Sequence, residues 1–183
     1  TRANGVYFDY TALRKSAKKD LASVFGLIDL IIQRLQPTHF IFIAVEGVSP
    51  ICKTQKKKRD IIFKAVNLKT PKEEDDKFIK LVQNKIKSDP TWSRPKVFFS
   101  TYQTPNEAEH KIFNFLDIFN SKNRITKESN FINYIVSIDG DCIHLALAHH
   151  LENTFVVALN ENGNVSQTIS PHEEFEKYSV VNI

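Results

Sequence analysis

Acidic residues recur in this sequence at the points where short hydrophobic runs end. The runs cover residues 6–8, 40–45, 97–99 and 134–136, and the acids that follow them are Asp9, Glu46, Glu107, Glu109, Asp139 and Asp141. In an open α/β sheet the carboxyl ends of the strands meet at one crevice, so these six carboxylates are expected to converge. Converging carboxylates repel one another unless cations lie between them. The pattern therefore predicts a site for divalent cations.

The six acids offer oxygen ligands alone, which suit Mg²⁺ or Mn²⁺ rather than Zn²⁺. Two such ions, about 3.5–4 Å apart, can activate a water molecule and stabilise the leaving oxygen in phosphodiester cleavage. All six acids are therefore candidate metal ligands and candidate catalytic residues. The ordinary alternative is that acids favour the first turn of a helix and that aspartate caps one. Their repetition at four strand ends favours the metal site.

Each pair of acids needs a local geometry that brings its two side chains together. Glu107 and Glu109 do not share one helical face, so both reach one metal only from the turn that leads into a helix. Pro105 favours a helix start there, and Asn106 is a candidate cap. Between the two aspartates of the second pair, Gly140 is expected to let the backbone turn sharply.

A basic cluster follows Glu46 by only a few residues. Its five cations lie within seven residues: Lys53, Lys56, Lys57, Lys58 and Arg59. A cationic helix beside a carboxylate–metal site has the charge needed to hold a phosphate end. The net charge of +4 and the pI near 9.0 are compatible with a polyanionic partner. The alternative is a solvated surface helix.

The elements that would position these residues alternate between strands and helices. Strands are predicted at residues 6–9, 40–45, 96–100, 132–138 and 154–159. Helices are predicted at about 20–35 (capped by Asp20), 53–66, 75–87, after Pro105, and 141–150. The turn signal Asn162-Gly163 predicts a return strand at 165–169. This order predicts an α/β fold with a mostly parallel central sheet flanked by helices.

The length of 183 residues predicts a single domain over residues 1–183. The polar stretch near 67–76 is predicted to be a mobile linker, and residues near 160–183 a C-terminal hairpin and tail.

Composition excludes several classes of protein. The two cysteines, Cys52 and Cys142, imply no disulfide framework, so an intracellular protein of the cytoplasm or nucleus is expected. No apolar run reaches the length that spans a membrane, so no membrane partner is expected. Zinc-site spacings, nucleophile motifs and glycine-rich phosphate loops are absent from the sequence.

The order of the motifs resembles the N-terminal catalytic segment of the XRN-type 5′→3′ exoribonucleases. A strand that ends in aspartate is matched by 7–9, and an Asp-Gly-Val-Ala-Pro-like turn with a following lysine is matched by 46–50 and Lys53. The family's Val-Pro-Gly-Glu-Gly-Glu-His-Lys motif is matched by 104–111, and its Asp-Ala-Asp-Leu-Ile turn by 139–143. Four motifs in order, between residue 6 and about residue 159, make the resemblance specific.

The resemblance implies a PIN/FEN-like nuclease core that needs Mg²⁺ or Mn²⁺ and removes nucleotides one by one from RNA carrying a 5′-monophosphate. By this resemblance one metal would be held by four acids: Asp9, Glu46, Glu107 and Glu109. The second metal would be held by Asp139 and Asp141. Lys53 would contact the terminal phosphate, and the other members of the basic cluster would contact RNA.

The chain also departs from the family pattern. The second acid is Glu46 where the family has aspartate, and a glutamine and two arginines of the basic helix fall at Lys57, Asp60 and Ile61. The family's last acid, in a Gly-Asn-Asp-Phe motif, is absent. We therefore expect either a truncated piece of a larger chain or a lineage that has lost part of the machinery.

Two alternatives to a nuclease follow. In the family that the chain resembles, the glutamine and the two arginines replaced here belong to the pocket for the 5′-phosphate. Their replacement and the missing last acid are compatible with a catalytically inactive RNA-binding or scaffold subunit of a larger complex. The other alternative is another acid-site α/β phosphotransferase or phosphatase. The run 138–141 is superficially similar to the Asp-x-Asp turn of haloacid-dehalogenase-like enzymes, but the Glu107–His110 motif would have no role in such an enzyme.

Overall fold

The computed structural model describes residues 2–16, 20–48, 71–123, 131–137, 140–149, 151, 153–159 and 165–169. Within these ranges six strands form one sheet: β1 Gly5–Asp9, β2 Phe40–Ala44, β3 Lys96–Ser100, β4 Asn133–Ser137, β5 Thr154–Leu159 and β6 Val165–Ile169. The strand order is β3-β2-β1-β4-β5-β6. The first five strands are parallel, and β6 runs antiparallel to β5.

The helices of the described residues are α1 Tyr10–Ser16, α2 Leu21–Leu35, α3 Pro71–Ser88, α4 Pro90–Ser93, α5 Ala108–Asn123 and α6 Asp141–Ala148. The start of α2 is the predicted one, because the Asp20 carboxylate accepts a hydrogen bond from the backbone N–H of Ser23. At its other end Gln36 adopts a left-handed φ of 44° and donates its N–H to the carbonyl of Ile32.

The central strands β1, β2 and β4 bury side chains on both faces, which explains their continuous apolar sequences. On one face Phe8 and Ile43 pack with residues of α2, α3 and α4, including Trp92. On the other face Tyr7 and Phe42 pack with residues of α5 and α6. Because side chains alternate along a strand, neighbouring residues of β1 and β2 serve opposite layers. The result is an α/β fold with five parallel strands flanked by helices, as predicted.

The register places the carboxyl ends of the central strands level with one another. Asp9 stands beside Ala44, and Ala44 stands beside Ser100. On the other side of β1, Phe8 stands beside Val136. The chain order reverses between β1 and β4, and in such sheets the crevice for a ligand lies at this switch point.

Some predicted elements differ from the structure. Residues 71–76 were predicted to belong to a linker, with a helix from about residue 75, but α3 begins at Pro71. Proline at the first helical position, followed by acids, is a helix-start signal that the linker interpretation overlooked. The helices α1 and α4 were not predicted. The predicted basic helix at 53–66 lies outside the described residues.

Candidate functional site

Asp9 ends β1 at the switch point, and its side chain is only 3% exposed. One carboxylate oxygen accepts the N–H of Ala12 at 2.9 Å, so Asp9 caps α1. The other oxygen accepts the hydroxyl of Ser137 at 3.2 Å, which joins the ends of β1 and β4. Both oxygens of the Asp9 carboxylate are therefore held in place by groups of the protein.

Glu107 and Glu109 lie where the chain enters α5, as predicted. Glu107 is 6% exposed, and its carbonyl accepts the N–H of Lys111 at 3.1 Å. Glu109 is partly buried in the first turn, and its carboxyl group is hydrogen-bonded to that of Glu107. Burial, which is the largest cause, and the negative charges of Asp9 and Glu107 together raise the pKa of Glu109 to about 7. The fold therefore brings these three acids, from two different strand ends, into one electrostatic cluster.

The acid cluster, which we define as Asp9, Glu107 and Glu109, has the donor chemistry of a site for Mg²⁺ or Mn²⁺. Within the described part of the chain, no three acids, histidines or cysteines are already arranged to hold a metal ion. Asp9, Glu107 and Glu109 would supply the oxygen ligands of such an ion, and because the pKa of Glu109 is raised to about 7, binding would favour its ionised form.

Glu46 lies just beyond β2, where the sequence predicts an acid of the site. Its backbone N–H donates to the hydroxyl of Thr11 at 2.9 Å, so α1 fixes the backbone of this acid. The Glu46 carboxylate acts electrostatically on Lys111, since it raises the pKa of that lysine against the effect of burial.

Two loops of the site are joined by backbone hydrogen bonds. The N–H of Gly47 donates to the carbonyl of Asn106 at 2.9 Å, and the N–H of Asn106 donates to the carbonyl of Val48 at 3.0 Å. Gly47 allows this approach, because a Cβ there would collide with the carbonyl oxygen of Thr104. The loop that carries Glu46 is thus held against the loop that leads to the acid cluster.

Asn106 has a φ of 102°, a conformation in which glycine is at ease and most other residues are strained. The related family motif has glycine at this position, and the backbone shows why. The side chain of Asn106 accepts the N–H of Glu107 at 3.0 Å, which satisfies a donor at the start of α5. Because α5 begins at Ala108, Glu107 occupies the N-cap position, and the bond from Asn106 is a local one to the next residue rather than the predicted cap.

Lys111 was not singled out as a site residue, although it ends the predicted motif. Its side chain is 6% exposed, and its ammonium donates to the carbonyls of Val45 at 2.6 Å and Thr101 at 2.9 Å. Burial lowers the pKa of Lys111. The one signal in the sequence is its spacing, because it follows Glu107 by four residues and so lies one turn further along α5.

The second acid pair is described only in part. Asp141 is the first residue of α6, and its side chain is exposed. Gly140 has helical angles, with φ of −64° and ψ of −21°, so it does not use the left-handed conformations that are open to glycine. The sharp turn between the two aspartates stays a prediction, because residues 138–139 lie outside the described residues. Asp139 lies outside the described residues, as do all members of the basic cluster: Lys53, Lys56, Lys57, Lys58 and Arg59.

No helix in the described ranges combines the length and apolar character needed to cross a membrane.

A solved structure has the same α/β fold as this chain. The chain superposes on the structure titled "Crystal Structure of T5 D15 Protein Co-crystallized with Metal Ions" with a TM-score of 0.54 and 12% sequence identity. The match covers 96% of this chain and 61% of that one. At this identity the likeness is one of fold.

Curated relatives include human 5′-3′ exoribonuclease 1, which is 27% identical over 171 residues, and Neurospora crassa 5′-3′ exoribonuclease 2, which is 25% identical over 181 residues. The matches cover 78% and 74% of this chain, but 10% and 17% of the two relatives. The family described as "XRN 5′-3′ exonuclease N-terminus" matches residues 2–80 and 72–161, which is most of the chain. The resemblance found in the sequence is confirmed, and the chain belongs to this XRN N-terminal family.

Proposed function

We propose that the chain is a divergent, metal-dependent 5′→3′ exoribonuclease domain that acts on RNA with a 5′-monophosphate. Membership of the XRN family supports a nucleic-acid substrate. The observation that carries the proposal is the acid cluster, because Asp9 and Glu109 come from distant strand ends and their charges interact at the switch point. Buried acids brought together in this way are typical of functional sites.

On this proposal, a first divalent cation is held by Asp9, Glu46, Glu107 and Glu109, and a second by Asp139 and Asp141. Bound Mg²⁺ or Mn²⁺ would supply Lewis acidity and lower the pKa of a water molecule. The chain's own groups set the positions. Ala12 and Ser137 orient the carboxylate of Asp9. A bound cation would favour the ionised form of Glu109, whose pKa is raised to about 7.

The basic cluster would determine that degradation starts at the 5′ end of the RNA. Lys53 would contact the 5′-phosphate, and Lys56, Lys57, Lys58 and Arg59 would contact the RNA that follows it. A phosphate held at a fixed distance from the acids leaves only the first linkage within their reach. That arrangement favours removal of single nucleotides from one end.

A second candidate function is a catalytically inactive RNA-binding or scaffold subunit. The observation in its favour is at Glu46, where a longer acid replaces the family's aspartate and acts on Lys111. This candidate predicts RNA binding that depends on the basic cluster and needs no metal.

Two aspartates that both cap helices allow a direct test. Asp9 caps α1 inside the site, and Asp20 caps α2 outside it. Asparagine is as good a helix cap as aspartate, so both Asp→Asn variants are expected to stay folded. With Mg²⁺ and 5′-monophosphorylated RNA, Asp9→Asn is expected to reduce the cleavage rate by about 100-fold or more, since a ligand of the cation is lost. Asp20→Asn is expected to cleave like the wild type.

The 5′ specificity is tested on the same RNA with a 5′-hydroxyl group, which is expected to be degraded slowly. A folded wild-type chain that is inert on both RNAs, or an Asp9→Asn variant that is fully active, would reject the enzyme. RNA affinity that is unchanged by Mg²⁺ in such an inert chain would support the second candidate.

A further inference from the structure

Lys111 is a lysine in an environment where lysine is rarely found. Its side chain is almost completely buried, whereas lysines are mostly exposed unless they are paired. Burial of an ammonium is costly, and here the cost is offset by two carbonyl acceptors at 2.6 and 2.9 Å. A methionine would fill similar space without that cost, so packing alone does not explain a lysine.

The two acceptors of Lys111 belong to neighbouring strands of the site. Val45 follows β2 and directly precedes Glu46, and Thr101 follows β3 on the path to the acid cluster. Lys111 itself lies on α5, one turn after Glu107. Its ammonium therefore joins three segments. They are the end of β2 that carries Glu46, the loop after β3 that leads to α5, and the start of α5 that carries Glu109.

The charge of Lys111 also matters to the acids. Glu46 acts on it electrostatically and favours the charged ammonium, against the larger and opposite effect of burial. Two backbone hydrogen bonds, from Gly47 to Asn106 and from Asn106 to Val48, also join the loop of Glu46 to the loop before α5. Of these ties, the lysine is the buried and charged one.

We infer that Lys111 is a positioning residue of the proposed metal site, which holds the Glu46 strand end against the turn of the acid cluster so that the carboxylates can receive a divalent cation. This inference rests on the proposed function. Lys111 touches backbone carbonyls behind the acids and acts through them. Loss of such supporting contacts typically weakens metal binding by about 10–100-fold.

Lys85 provides the matched control. It is also a lysine with two partners, since its ammonium lies 3.0 Å from Asp29 and 3.0 Å from Asp89. It lies on α3 beside α2, in the layer opposite α5. Replacing either lysine by methionine removes a charge and two contacts at nearly constant volume, but only one of the two changes touches the site.

The experiment measures Mg²⁺ binding to the whole chain by titration calorimetry, and thermal unfolding without metal, for the wild type and the variants Lys111→Met, Lys111→Arg and Lys85→Met. Lys111→Met is expected to weaken Mg²⁺ binding by about tenfold or more. Lys111→Arg keeps the charge and several donors, and is expected to recover much of that loss. Lys85→Met is expected to lower the melting temperature and leave Mg²⁺ affinity unchanged.

Tighter or unchanged Mg²⁺ binding in Lys111→Met would overturn the inference, because the lysine would then only compete with the cation. Equal weakening in Lys85→Met would overturn it too, since general destabilisation would explain both. If Lys111→Met does not fold, Lys111→Arg decides: Mg²⁺ affinity near that of the wild type supports the inference, and affinity no better than that of a chain without the site rejects it. A wild-type chain that binds Mg²⁺ but cleaves no RNA rejects the proposed function alone, whereas one that binds no Mg²⁺ rejects both.

Discussion

The hydroxyl of Ser137 donates to a buried carboxylate oxygen of Asp9 across 128 residues of sequence. This bond joins the ends of the two strands on either side of the switch point. It also fixes the orientation of an acid that the proposed site needs.

Ser137→Ala is expected to destabilise the chain by about 1.5–3 kcal/mol, the usual contribution of a hydrogen bond to a charged group. The exposed pair Ser23 and Asp20 is the control, since that hydroxyl donates to a carboxylate at 2.8 Å in contact with water. Ser23→Ala is expected to cost less than about 1 kcal/mol. Chemical unfolding of the two variants measures the difference, and equal costs would contradict the importance of burial.

Gly47 and Gly26 are expected to respond to alanine in opposite ways. A Cβ at position 47 meets the backbone of Thr104 and Tyr102, so Gly47→Ala is expected to cost about 1–3 kcal/mol through overpacking. A Cβ at position 26, within α2, meets nothing within 4 Å. Gly26→Ala is therefore expected to stabilise the chain by about 0.5–1 kcal/mol. Thermal unfolding of both variants is the measurement, and a stable Gly47→Ala chain would show that the loops do not approach as described.

Asn106 is expected to tolerate glycine better than alanine. Asn106→Ala keeps the strain of the positive φ and loses the hydrogen bond to Glu107, so a loss of about 1–3 kcal/mol is expected. Asn106→Gly also loses that bond but removes the strain, and its net effect is expected to be below about 1 kcal/mol. Unfolding by urea ranks the two variants. The reverse ranking would mean that the side-chain bond outweighs the backbone.

Glu109 makes the stability of the metal-free chain depend on pH. Its pKa in the folded chain is about 7, above its ordinary value of 4.5, so the folded state binds more protons than the unfolded state between these values. The stability from this group is complete below about pH 4.5 and is lost as the pH rises through 7.

The matching measurement is the melting temperature in a chelator between pH 5 and pH 8. It is expected to fall more steeply in the wild type than in Glu109→Gln, which resembles the protonated acid at every pH. Equal slopes would remove Glu109 as the cause. Mg²⁺ is expected to restore the lost stability at pH 8, because a bound cation then offsets the negative charge that the proton offsets at lower pH.

The strands and the acids at their ends were predictable because both depend on local patterns. The bounds of β3 and β5 are those predicted, since each is a short apolar run between turn residues. The predicted meeting of Asp9 with Glu107 and Glu109 follows from the parallel order alone. The raised pKa of Glu109 could not be predicted, because it depends on the burial of the carboxyl group and on its distances to Asp9 and Glu107.

The features that were missed depend on contacts between distant segments. Lys111 is buried only because β2 and β3 bring the carbonyls of Val45 and Thr101 to the same place. The helix α1 has seven residues, too few for a periodic pattern, and Asp9 is both the last residue of β1 and the N-cap of α1. The burial of Lys111 and the presence of α1 both depend on contacts between distant segments, which a local stretch of sequence does not reveal.

The central position of β1 in the sheet has a consequence for the synthesis of the chain. The ribosome adds 128 residues between the end of β1 and the end of its neighbour β4, which at about 5–20 residues per second takes roughly 6–26 s. During that interval one side of β1 lacks its hydrogen-bonding neighbour, and pairing over such a separation is intrinsically slow. The nascent polypeptide therefore exposes the apolar strand β1 with one unpaired edge. A chaperone that covers this strand during synthesis would raise the yield of native protein.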